Sequence, residues 1–287
     1  MTTEHGYRWG MGSYQRPLET VVTDAVKQWA SERAASLGQD PRTSTIISSL
    51  EDSFTLEVTP SRNDVLAMVE GAAEVVMRMM NDIRGFDKEP VVDLELVLMA
   101  MGSSPELGEQ FREALQVRLA RSGMVAAGNT DRLCSLSSNL LLVRGPSVPA
   151  PVAGYLRRVA HTYVNGYDAE CISHCGSAME QMLRSAVPYD LCERVLGPRT
   201  RRKSWYEFGE RLDIAKRESL FHKGTTPSDK STNKQLAKAA HAVWERRNAV
   251  IHKDSTLTER VDQSVRDTFR VVSALLARRD PERPPWL

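Results

Sequence analysis

The chain has 287 residues, 41% hydrophobic and 26% charged, which supplies core material for two ordinary domains and makes disorder a poor default. No apolar run approaches the ~20 residues needed to cross a bilayer, and the first residues show neither the basic nor the apolar region of a secretion signal, so a cytoplasmic protein with no membrane contact is expected. A net charge of +1 excludes bulk electrostatic coating of nucleic acid, yet residues 1–150 carry 14 Lys/Arg against 20 Asp/Glu while residues 151–287 carry 24 against 17.

In chain order, residues 18–37 read as a helix and residues 45–58 as an apolar, alternating segment suited to a short hairpin, ended by Thr59-Pro60-Ser61. A helix over residues 63–83 follows, with Val65, Met68, Val69, Ala72, Val76, Met79 and Met80 at helical spacing. This Met-rich stripe is core-like. Residues 92–101 and 106–122 give two further helices, separated by Gly102-Ser103-Ser104-Pro105, a stop followed by a start signal. Residues 1–143 therefore form a predominantly helical N-terminal domain of unassigned role. Residues 144–152, with three prolines and one glycine, suit a semi-rigid connector.

Residues 153–287 give the clearest periodicity. Apolar residues from Leu156 to Met182 trace one stripe, with an interruption expected at Asn165-Gly166 and a stop at Pro188. A shorter helix over residues 204–218, a polar loop over residues 222–233, and a helix from Lys234 to about Ile251 come next. Thr256-x-x-Glu259 fits a capping box opening a last helix that runs to about residue 279. Cys134, Cys171, Cys175 and Cys192 lack the paired spacing of a zinc site and read as small core residues; no metal or other cofactor is expected.

The anomaly in this pattern is Arg247. With Leu236 set to 0° on an ideal helix, Ala240, Val243, Val250 and Ile251 define an apolar stripe, and Arg247 falls at about 20°, inside it. A guanidinium that cannot lose its proton must there meet a carboxylate, such as Glu180 or Glu170, or face a cleft that admits an anion. His252 falls about 140° away from Arg247, so an unbroken helix separates them; fraying of the last turn is expected to swing the imidazole back. Asn248, one turn before His252, is placed to orient it.

The run Arg246-Arg247-Asn248-Ala249-Val250-Ile251-His252 resembles the R-x4-6-H signature of the HEPN superfamily, in which a polar residue, often Asn, follows the arginine. Upstream, Tyr163-Val-Asn-Gly-Tyr167 through Met179-Glu180-Gln-Met-Leu183 is similar to the long early helix of that family, and residues 205–217 are similar to the short helix preceding the motif. The resemblance covers about 130 residues and implies a mainly α, HEPN-like helical bundle. The Tyr that marks nucleotidylated HEPN toxins two residues after the histidine is absent, Lys253 and Asp254 standing there.

What the resemblance implies is a metal-independent endoribonuclease that cleaves RNA through its own 2′-OH, as a toxin or antiphage effector. Arg247, Asn248 and His252 would be catalytic, and Glu180 and Tyr167 would support the site. Arg199, Arg201, Arg202, Lys203, Arg246 and Lys253 would hold RNA phosphates. The expected partners are RNA (tRNA or mRNA), a second copy of the chain pairing through the HEPN-like domain, and a regulatory protein. The alternative is a non-catalytic HEPN-like module that binds a nucleotide or a protein partner.

Overall fold

The computed structural model describes residues 16–37, 60–86, 91–122, 129–197, 207–222, 226–252 and 260–279. Among these there are eleven helices and no strand. The expected hairpin near residues 45–58, the cations Arg199, Arg201, Arg202, Lys203 and Lys253, and the capping box at Thr256 lie outside the described residues.

In the first half, α1 (Leu18–Leu37), α2 (Arg62–Asn81), α3 (Val92–Met101), α4 (Pro105–Arg121) and α5 (Asn129–Leu142) pack with α2 at their centre. The sequence sets the helix starts. Ser61 and Asp64 cap α2 reciprocally, and the Ser104 hydroxyl accepts from Leu107 N–H with Pro105 in the first turn of α4. The methionine stripe is core as expected, with Val65, Ala72, Val76, Met79 and Met80 fully buried.

The second half contains α6 (Ala150–Val164), α7 (Asp168–Ala186), α8 (Tyr189–Leu196), α9 (Phe208–Arg217), α10 (Pro227–Ile251) and α11 (Val261–Arg279). The break expected at Asn165-Gly166 divides α6 from α7, and Gly166 adopts φ +77°, which a side chain would disfavour. α7 is the hub, in contact with α6, α9, α10 and α11. Its face of Cys171, Ile172, Cys175, Ala178, Met179, Met182 and Leu183 is completely buried, each large side chain contributing about 1.5–3 kcal/mol by leaving water.

Two expectations differ from the structure. The polar loop assigned to residues 222–233 is helical from Pro227, because Thr226 and Asp229 form a capping box with the proline in the first turn. The Pro-rich segment is packed as well as stiff: Val148 and Val152 are fully buried, Gly145 N–H donates to Ile83 O, and Arg144 is 2.9 Å from the buried Glu95 carboxylate. Apolar side chains from both sides of it join one core, and α5 packs against α11.

Candidate functional site

α10 carries the motif arginine because Leu236, Ala237, Ala240 and Val243 press its apolar stripe onto the bundle. Arg247 continues that stripe and meets α7 at Gly176. A Cβ on Gly176 would lie 2.5 Å from Arg247 Cγ, 2.6 Å from Cβ and 2.8 Å from Cδ, so the absent side chain is what admits the arginine stem. The guanidinium then emerges into a cleft of about 300 Å³ between α7, α9 and α10.

Neither Glu180 nor Glu170 pairs with it among the described residues. Glu180 lines the same cleft, but its carboxylate is 2.6 Å from Arg184 Nη2. Arg247 Nε is buried without a hydrogen-bond acceptor among the described residues, and Nη1 lies 3.4 Å from Asn248 Oδ1. A buried, unmatched donor on a permanent cation destabilises a fold by about 1–3 kcal/mol unless something else accepts from it.

Five further residues of the cleft were not picked out from the sequence: Arg184, Glu207, Phe208, Arg211 and Trp244. Arg184 is paired with Glu180, Glu207 adds a second acid, Arg211 is anchored through a hydrogen bond from Nη1 to Val187 O, and Trp244 stacks on Phe208 at 5.2 Å with the rings 2° from parallel. Gly176 inside an otherwise apolar stripe was the one local signal, since a glycine in a helix interior marks close backbone approach. The convergence of the arginines depends on helix packing, which no short window of sequence encodes.

Arg246 has a different role from the one expected. About 100° further round the helix, it bonds Asp267 on α11 at 3.3 Å and the Ser264 hydroxyl at 3.1 Å, with both ionic side chains nearly buried. Tyr167 is 60% exposed at the start of α7, about 13 Å along the helix axis from Gly176. His252 does not swing back: α10 stays helical through Ile251, and His252 caps it at φ −90°, ψ 15°, donating its backbone N–H to Asn248 O at 3.0 Å. Its side chain is exposed and lies outside the Arg247 cleft.

Among the described residues no group of three or more His, Cys, Asp and Glu side chains is arranged to hold a metal ion, and no helix is long and apolar enough to cross a membrane. The four cysteines are free thiols. Cys171 donates weakly to Val159 O, and the neighbouring Cys175 together with burial raises its thiol well above the usual range, which leaves it inert.

No family model, no curated protein and no solved structure matches the chain.

Proposed function

We propose that the protein is a HEPN-like endoribonuclease in which Arg247 grips a phosphate of RNA and His252 transfers the proton. The observation that carries this reading is the Arg247 guanidinium: embedded in an apolar helix stripe, without a carboxylate partner among the described residues, its Nε buried and unmatched at the wall of an open cleft. A phosphodiester would satisfy it, because the planar fork of arginine can donate to two non-bridging oxygens and stabilise charge developing in a pentavalent transition state.

RNA supplies its own nucleophile, the 2′-OH, so the protein need provide a group that takes the 2′-OH proton and passes one to the departing 5′-oxygen, and a cation. The exposed His252 imidazole suits the first, general acid–base catalysis being worth about 10²–10⁴-fold. Since His252 lies outside the Arg247 cleft of its own chain, a second copy would bring its imidazole to that cleft. Asn248, between the two on the helix surface, would hold the guanidinium or the phosphate in register.

The test is incubation of the full chain with total tRNA in EDTA beside Arg247→Ala and His252→Ala. Cleavage leaving 2′,3′-cyclic phosphate and 5′-hydroxyl ends, reduced at least about 100-fold in both variants, supports the proposal. Cleavage that stops on chelation, or that proceeds equally in the variants, overturns it. The placement of His252 outside the cleft favours a second reading, a non-catalytic module that binds a nucleotide or another anionic partner through Arg247. No cleavage in any sample, with phosphate-dependent binding lost in Arg247→Ala, would select that reading.

A further inference from the structure

A second basic groove lies on the same pair of helices, outside the Arg247 cleft. α9 and α10 run antiparallel, Phe208 stacking on Trp244 at one end and Asn233 Nδ2 donating to Lys216 O at 3.0 Å at the other. Beside this seam is a groove of about 230 Å³ whose lining includes Lys216, Lys234, Lys238 and His241. The three exposed ammonium groups form no ion pair among the described residues. Asp213 and Glu245 also line the groove, and Glu245 is 3.4 Å from the His241 ring. Lys234 and Lys238 are like charges four residues apart on one helix, a spacing that disfavours it, and Lys216 lines the same groove from α9.

The groove leads toward the motif. On an ideal wheel Lys234, His241, Asn248 and His252 fall within about 40° of one another, a polar stripe about 27 Å long. Midway along it, the His241 ring is 6.1 Å from Trp244, which lines the Arg247 cleft. Lysines at positions i and i+4 are about 6 Å apart along the axis, comparable to the step between phosphates of an extended strand. Their flexible point charges follow a backbone without reading bases.

We infer that the α9–α10 groove holds the phosphodiester backbone of single-stranded RNA flanking the reacting phosphate and leads the strand along α10 to His252. The inference rests on the proposed ribonuclease reading for the identity of the strand, while its binding test stands apart from cleavage. A labelled oligouridine of about 20 nucleotides is titrated by fluorescence anisotropy into the full chain, the Lys216→Ala/Lys234→Ala/Lys238→Ala variant and the corresponding triple Lys→Arg variant, over a range of salt.

The alanine variant is expected to bind at least about tenfold more weakly, with the slope of log affinity against log salt reduced by about 2, since each phosphate contact on a single strand contributes about 0.7. The arginine variant restores both values. Unchanged affinity and slope in the alanine variant overturn the groove, even where Arg247→Ala abolishes cleavage and the nuclease reading survives. Loss of binding in a protein that never cleaves RNA sustains the groove and sinks the nuclease reading instead.

Discussion

Arg246 and Arg247 are neighbours on α10, yet about 100° of helical rotation sends one guanidinium to the Asp267 carboxylate and the other to an open cleft. Removing one partner of a nearly buried ion pair leaves an uncompensated charge, so Arg246→Met should lower stability by about 3–5 kcal/mol, read as a fall in the urea midpoint. No loss would mean that Asp267 finds another donor. The histidines give a second prediction at this scale. Burial, helped by Arg157 beside His161 and Arg158 beside His174, depresses both imidazoles below their usual 6.5. A depressed folded pKa means the unfolded chain takes up the proton more readily, so stability is complete above about pH 6.5 and declines as pH falls below it, through the folded values. The urea midpoint should drop between about pH 7.5 and about pH 5, and less so in a His161→Gln/His174→Gln variant. The charge anomaly at Arg247 was legible because periodicity alone puts it among apolar residues. Its lack of a carboxylate partner among the described residues was not, because that depends on which residues α7 and α9 bring alongside.

At the scale of the element, most helices follow from periodicity and their starts from short polar signals. Ser61 and Ser104 cap as their spacing implies, and Asn165-Gly166 breaks the chain where a residue with positive φ is needed. The start of α10 was missed because Gly, Thr, Ser and Pro suggested a loop, although Thr226-Pro227-Ser228-Asp229 carries a capping box and a first-turn proline. Helix pairing is less legible, since the contact between Gly176 and Arg247 joins residues 71 positions apart. That contact is testable. A methyl at position 176 would sit within 3 Å of the arginine stem, so Gly176→Ala must part α7 from α10 or turn Arg247 aside. Overpacking of this kind costs about 1–3 kcal/mol, and RNA cleavage should fall along with it. Gly176→Ala with wild-type stability and wild-type cleavage would show that the arginine has room the structure does not give it.

At the scale of the whole molecule, the segment read as a connector is itself packed. Residues 144–152 look like a linker by composition, but Val148 and Val152 are buried and apolar side chains on both sides share one core. Composition identifies residues that cannot continue a helix; it does not say whether the resulting turn is solvated or packed, which depends on distant partners such as Ile83 and Glu95. The molecule also sets the arrangement of the proposed chemistry, because α10 stays helical through Ile251 and leaves His252 outside the cleft of its own Arg247. On the proposed reading a complete site takes two copies, one lending the guanidinium and the other the imidazole. The direct measurement is tRNA cleavage by an equimolar mixture of the Arg247→Ala and His252→Ala proteins after subunit exchange. Half of the pairs would be mixed and each would hold one intact site, so activity should return to about a quarter of wild type from two inactive samples. A mixture as inactive as its components, with mixed pairs demonstrated, would contradict a site shared between chains.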